Sequence, residues 1–129
     1  MDHFNYKNAS LHAENVAISK IAKEIPTPFY CYSKATITRH YRVFEASFHN
    51  VDHYVCYAVK ANDNLAILKI LADLGSGADA VSMGEIMRCL KAGIPANKIV
   101  YSGVGKTADE IAFALQQGIM QINVESEAE

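Results

Sequence analysis

One lysine at the end of an apolar run is the residue of this sequence best suited to chemistry. Lys60 follows the stretch Tyr54–Val59, which contains no Gly or Pro and predicts a buried strand. Because side chains alternate along a strand, Lys60 is expected to share a face with the small residues Ala58 and Cys56. An ammonium group buried there costs free energy unless it is paired, neutralised or covalently bonded. A desolvated lysine amine is a nucleophile, so the pattern suggests Schiff-base formation, although the side chain could also reach water along its apolar stem.

The elements around Lys60 follow a β/α repeat, in which strand starts recur every ~22 residues. Strands alternating with helices imply a parallel sheet with right-handed crossovers. A complete (β/α)8 barrel takes about 250 residues, so this chain would supply only four of its strands. We therefore predict an α/β fold, the first four β/α strands of a partial (β/α)8 TIM barrel. The predicted strands are Tyr54–Val59, Ala78–Val81, Ile99–Tyr101 and Met120–Val124.

Capping signals set the predicted helix boundaries. Two pairs have capping-box spacing, Ser82 with Glu85 and Thr107 with Glu110. Predicted helix ends fall at glycines, and an earlier helix is expected to begin after a serine cap. These residues are Gly75, Gly93, Gly118 and Ser33. Upstream, the aromatic stretch Phe29–Tyr32 predicts a short strand.

Composition is that of an ordinary globular chain. Of the 129 residues, 50% are hydrophobic and 20% charged, and the net charge is −2. Nothing in this balance favours binding to nucleic acid or to an anionic membrane, and no signal peptide or membrane span is predicted. The three cysteines lack metal-like spacing and read as reduced thiols of a cytoplasmic protein. His49 and His53 lie four apart, but Asn50 stands where a zincin needs Glu, so no metal site is predicted.

The stretch Tyr57–Asn62, in letters YAVKAN, resembles the pyridoxal-phosphate (PLP) lysine motif of the fold-type III decarboxylases, enzymes with an alanine-racemase-like barrel. Within that group the chain is most similar to the diaminopimelate decarboxylase family. Three further stretches support the resemblance in the expected order along the chain. They are Pro26–Tyr30, Gly75–Glu85 and Tyr101–Thr107.

The resemblance implies a cofactor, pyridoxal 5'-phosphate, and assigns residues to it. Lys60 would be the catalytic residue that holds the cofactor, and Ala58, Asp79 and Glu85 would be further cofactor-binding residues. Two of these have structural alternatives. Asp79 could be a strand-end carboxylate that pairs with any nearby cation, and the N3 position of a capping box explains Glu85 without a cofactor.

The resemblance also implies a domain organisation and a reaction. Residues 1–33 would belong to a separate β domain and residues 34–129 to an incomplete PLP-binding barrel. The chain would be the N-terminal part of a cytoplasmic, homodimeric carboxy-lyase that converts meso-2,6-diaminopimelate to L-lysine and CO2. The phosphate-binding loop, the partner of the pyridine nitrogen and the substrate-binding residues would lie beyond residue 129. The fragment alone is therefore expected to be inactive.

Two alternatives stay open at the level of sequence. The spacing Gly103-x-Gly105-x-x-Ala108, with Glu125 about 20 residues on, fits a dinucleotide-binding fingerprint in outline. It falls on the third β/α unit, however, and leaves Lys60 unexplained. The other alternative is a non-catalytic PLP-binding barrel protein.

The carboxyl ends of the predicted strands should meet at one rim, where barrel enzymes carry their chemistry. Lys106, in the loop after the third predicted strand, is interpreted as a solvated cation or one at the margin of the site. The residues expected on the rim are Lys60, Ser82, Ser102, Gly103 and Glu125.

Overall fold

The computed structural model describes residues 2–129, which form two units divided in sequence between Ser47 and Phe48. Each unit has its own sheet, with three antiparallel strands in the first and four parallel strands in the second. The predicted boundary between residues 33 and 34 concerns the domains of a longer protein and stays a prediction.

The first unit is an antiparallel meander followed by two helices. Its elements are β1 (Phe4–Lys7), β2 (Ser10–Ala13), β3 (Val16–Ala17), α1 (Ile18–Glu24) and α2 (Lys34–Ala46). The predicted serine cap is confirmed, because the Ser33 hydroxyl accepts a 3.1 Å hydrogen bond from the Thr36 N–H at the start of α2. The helix thus begins where its first free N–H group finds an acceptor.

The prediction of a strand over Phe29–Tyr32 is wrong for this structure. The segment is irregular and runs between α1 and α2, with Tyr30 91% exposed. A strand needs a neighbour that satisfies its backbone groups, and no strand of the described residues lies in register with this segment. Aromatic composition alone therefore did not decide its conformation.

The second unit confirms the predicted parallel α/β architecture. Its strands are β4 (Cys56–Ala58), β5 (Gly77–Ala80), β6 (Ile99–Tyr101) and β7 (Gln121–Ile122), and its helices are α3 (Leu65–Asp73), α4 (Met83–Ala92) and α5 (Ala108–Gln117). The sheet order is β4-β5-β6-β7, so each strand lies beside its predecessor. This sequential winding is that of a barrel segment, and it contains no point at which the strand order reverses, where doubly wound sheets bind nucleotides.

The helices cover one face of the sheet, and strand alternation decides which side chains they bury. Ala78, Ala80, Ile99 and Tyr101 belong to the core beneath α3, α4 and α5, each with 1% or less of its surface exposed. Asp79, between the two buried alanines, lies on the opposite face. The uncovered face of the sheet is therefore the one that carries polar side chains.

Close approach of neighbouring chain segments requires a glycine at the start of β5. A Cβ atom on Gly77 would lie 2.4 Å from the carbonyl oxygen of Lys98 and 2.9 Å from the Cys56 Sγ. The predicted helix ends at Gly93 and Gly118 are also confirmed, since both adopt left-handed conformations after α4 and α5. Within residues 2–129, no helix combines the length and the apolarity that crossing a membrane requires.

Candidate functional site

Lys60 lies in a tight turn just beyond the end of β4. The strand stops at Ala58, and Val59–Ala61 form one turn of 3₁₀ helix, closed by a 3.0 Å hydrogen bond from the Asn62 N–H to the Val59 carbonyl. The predicted strand Tyr54–Val59 was therefore too long. Val59 is fully buried in the core, and the turn leaves Lys60 exposed, so the prediction of a desolvated lysine is wrong for the described residues.

The Lys60 amine has no competing partner. Within residues 2–129 it takes part in no ion pair or hydrogen bond, in contrast to Lys69, Lys98 and Lys106. An amine that is not held by a carboxylate or a carbonyl is available to react with an aldehyde. That Lys60 forms a Schiff base stays a prediction, and burial would not be its cause.

Asp79 and Ala58 are direct partners in the parallel register of β4 and β5. Both side chains project from the face that the helices leave uncovered. Ala58 is small and leaves space above the strand, whereas the Asp79 carboxylate accepts a 2.6 Å hydrogen bond from the Ser102 hydroxyl. The side-chain amide of Asn123 in turn donates to the Ser102 oxygen at 3.0 Å. Residues from β5 and from the ends of β6 and β7 thereby form one polar network.

Sheet register fixes where Ser102 and Asn123 lie. The Ser102 N–H donates to the Ala80 carbonyl at 2.8 Å, and the Asn123 N–H donates to the Tyr101 carbonyl at 2.9 Å. These bonds continue the parallel ladders one step beyond the strands. Asn123 was missed by the sequence interpretation, which placed Glu125 on the rim. The same signal, a polar residue directly after a strand, would have found it.

Lys106 is buried, and its interpretation as a solvated cation is wrong. Its side chain is 1% exposed, and its ammonium donates to the carbonyls of Gly103 and Asn123 at 2.5 and 2.6 Å. It also pairs with Glu129 at 2.8 Å and lies 5.5 Å from the centre of the Tyr101 ring. The hydrogen bond from Lys106 is the main cause that holds the pKa of Glu129 below its usual range.

Glu85 has a structural role that its position in the sequence predicted. Its carboxylate accepts a 2.7 Å hydrogen bond from the Val81 N–H, and its own N–H donates to the Ser82 hydroxyl at 3.2 Å. The side chain reaches one residue further back than a standard capping box, to the residue before the N-cap. Its additional role at a cofactor stays a prediction.

The dinucleotide alternative finds no support in the loop that suggested it. Helix α5 begins at Ala108 with a complete capping box, in which Thr107 and Glu110 exchange hydrogen bonds. Two acidic residues in the first turn of that helix, Asp109 and Glu110, would repel a pyrophosphate. The Gly103 carbonyl is already held by Lys106.

As for metals, no group of three or more His, Cys, Asp or Glu side chains in residues 2–129 is placed to hold an ion.

Similarity to known proteins agrees with this geometry. Residues 34–129 match the sequence model of the pyridoxal-dependent decarboxylases, pyridoxal binding domain. The diaminopimelate decarboxylase of Pseudomonas fluorescens is 51% identical over 126 residues, which is 98% of this chain and 30% of that protein. This chain thus spans about a third of the length of such relatives.

Two solved structures share the fold. The diaminopimelate decarboxylase of Helicobacter pylori, in complex with L-lysine, is 48% identical with a TM-score of 0.82, over 84% of this chain and 28% of that one. The diaminopimelate decarboxylase of M. jannaschii is 33% identical with a TM-score of 0.90, over 95% of this chain and 30% of that one. With its lysine at the end of a barrel strand and a family match from residue 34 to residue 129, the chain belongs to the pyridoxal-dependent decarboxylases, whose pyridoxal binding domain it carries.

Proposed function

We propose that this chain is the cofactor-attaching part of a pyridoxal-phosphate-dependent decarboxylase that converts meso-2,6-diaminopimelate to L-lysine and CO2. The observation that carries the proposal is Lys60, an exposed amine without a partner in residues 2–129, directly beyond the strand that bears Ala58. Lys60 also lies within the matched segment 34–129. The substrate is inferred from the names of the relatives, and the L-lysine bound in one of them is the expected product.

The residues present suit pyridoxal phosphate, which is a planar aromatic aldehyde. Lys60 offers the amine that such an aldehyde needs for covalent attachment. Ala58 adds little bulk on the uncovered face of the sheet, where the Asp79 carboxylate also lies. We propose Lys60, Ala58, Asp79 and Glu85 as cofactor-binding residues, with Lys60 as the catalytic one.

When bound, pyridoxal phosphate supplies an electron sink for the electron pair left at Cα as CO2 departs. Lys60 would hold the group between turnovers. Its amine, when not bonded to the cofactor, would be available to move the proton that replaces CO2 at Cα. Lys60→Arg would not substitute, because a guanidinium stays protonated.

The test is covalent trapping. The full-length gene product that carries this chain is incubated with pyridoxal phosphate, reduced with borohydride, digested and mapped for pyridoxyl-lysine. We expect the label on Lys60. Lys91, also an exposed lysine, on α4, is the internal control for unselective reaction, and Lys106, whose side chain is buried, is expected to stay unlabelled.

Variants of Lys60 and Lys91 test whether the label depends on Lys60. Lys60→Ala and Lys60→Arg should both lose the label and the visible absorbance of the bound cofactor, whereas Lys91→Ala should keep both. Label on Lys91 equal to that on Lys60, or normal absorbance in Lys60→Ala, would contradict the proposal.

The inactivity of the isolated chain, the cellular location and the oligomeric state of the proposed enzyme are each tested by a separate measurement. Residues 1–129 expressed alone should release no CO2 from diaminopimelate, because they span only about a third of the relatives. The full-length protein is expected to be a cytoplasmic homodimer, which cell fractionation and light scattering would check. Decarboxylation by the 129-residue chain would overturn the assignment of essential residues to other parts of the enzyme.

A further inference from the structure

We infer that Ser102 and Asn123 are positioning residues, which fix the orientation of the Asp79 carboxylate on the uncovered face of the sheet. The inference rests on the proposed function, since it assigns Asp79 to the cofactor site. It adds two residues whose side-chain hydrogen bonds lead to Asp79 and not to Lys60, so that their side chains would act through Asp79.

The direction of the hydrogen bonds supports this role. An amide nitrogen only donates, so the contact from Asn123 Nδ2 to Ser102 Oγ uses the serine oxygen as acceptor. The single proton of the Ser102 hydroxyl then goes to Asp79 Oδ1, at 2.6 Å. The Asn123 side-chain oxygen accepts from Gln121 Nε2 at 2.5 Å, which agrees with this direction. These contacts form a relay of hydrogen bonds that runs from Asn123 through Ser102 to Asp79.

Lys106 anchors the far end of the relay. Its buried ammonium holds the backbone carbonyl of Asn123 and that of Gly103, the residue after Ser102. The loops that follow β6 and β7 are thus tied to one cation. Because these loops carry Ser102 and Asn123, the contacts from Asn123 to Ser102 and from Ser102 to Asp79 depend on the register of the three strands.

The expected consequence of losing the relay is a carboxylate that rotates freely. A hydrogen bond to a charged group is stronger than one between neutral groups. Without the bond from Ser102, part of the free energy of cofactor binding would go into ordering the Asp79 carboxylate. Ser102→Ala should therefore weaken binding of pyridoxal phosphate by roughly five- to thirtyfold.

The experiment measures the dissociation constant of pyridoxal phosphate by equilibrium dialysis with the full-length gene product. Ser102→Thr keeps the hydroxyl and should restore most of the affinity that Ser102→Ala loses. Ser76→Ala is the matched control, because Ser76 lies just before the start of β5 and its hydroxyl, among residues 2–129, hydrogen-bonds only to the backbone carbonyls of Val55 and Gly77. It should change the melting temperature but not the dissociation constant.

A double-mutant cycle separates positioning from general destabilisation. In an Asp79→Ala background, Ser102→Ala should cause no further loss of affinity, because its only route of action is gone. An equal loss in both backgrounds, or parental affinity in Ser102→Ala, would overturn the inference. Failure of the proposed function is distinguishable, since it would appear as normal cofactor attachment in Lys60→Ala.

Discussion

The Glu85 carboxylate accepts a 2.7 Å hydrogen bond from the backbone N–H of Val81, across the junction between β5 and α4. The bond satisfies a backbone group next to the helix start, which would otherwise need another acceptor. A residue that the resemblance assigns to a cofactor is thus also part of the scaffold that holds β5.

The first prediction separates these two roles of Glu85. Glu85→Ala should lower the free energy of unfolding by about 0.5–2 kcal/mol, as expected for a lost helix cap. Glu85→Gln keeps an acceptor oxygen and should lose less, as measured by thermal unfolding. Weaker cofactor binding in Glu85→Gln at near-parental stability would support a cofactor contact, and parental binding would confine Glu85 to the cap.

The second prediction concerns the close contact at Gly77. Gly77→Ala should destabilise the protein by about 1–3 kcal/mol, because the added carbon meets a backbone oxygen that cannot move without disturbing the sheet. Gly84→Ala is the matched control. Its new Cβ atom would meet nothing closer than 3.8 Å, and alanine favours the helix by roughly 0.5–1 kcal/mol. A neutral Gly77→Ala in urea unfolding would refute this account.

The third prediction is an order of thiol reactivity. Burial, with a smaller contribution from the charge of Glu85, raises the pKa of Cys89 to about 12, so almost no thiolate exists at neutral pH. Burial also raises the pKa of Cys56. Iodoacetamide at pH 8 should therefore modify the partly exposed Cys31 well before Cys89, as followed by mass spectrometry. Equal rates under native conditions would contradict the burial of Cys89.

The fourth prediction is a dependence of stability on pH through Glu14. Hydrogen bonds from the Ala35 N–H, first, and the Ser33 hydroxyl hold the pKa of Glu14 below its ordinary value of 4.5. The unfolded chain therefore binds the proton more readily, and the stabilisation is present above pH 4.5 and is lost as the pH falls through the lower, folded value.

Glu14→Gln should flatten that acid slope relative to the parent protein, as measured by thermal unfolding between pH 3 and 7. Glu110 and Glu129 have pKa values lowered in the same direction, so the slope should decrease rather than vanish. Identical slopes in the two proteins would show that Glu14 does not contribute.

The regular parts of the fold could be predicted because their signals are local. A serine or threonine cap at the start of a helix and a glycine at its end act within one turn, and the structure follows them at Ser33, Thr107, Gly93 and Gly118. Strand β6, Ile99–Tyr101, matches its prediction residue for residue.

The site was predictable only in part, since its details depend on distant partners. The place of Lys60 near the end of a strand was predicted, but the 3₁₀ turn that exposes it depends on the burial of Val59 in a core that helices later in the chain complete. The burial of Lys106 depends on two backbone carbonyls, one of them 17 residues away. Every residue of a chain carries a backbone carbonyl, so no pattern of residue types predicts which carbonyl the Lys106 ammonium will bind.

The alternation along β5 has a consequence for how this protein could diverge. Ala78 and Ala80 pack in the core, whereas Asp79 faces the opposite side of the sheet and contacts Ser102. Selection on stability and selection on chemistry therefore act on neighbouring codons without conflict. A lineage could exchange Asp79 and its partners for a new reaction while inheriting the packing beneath them unchanged.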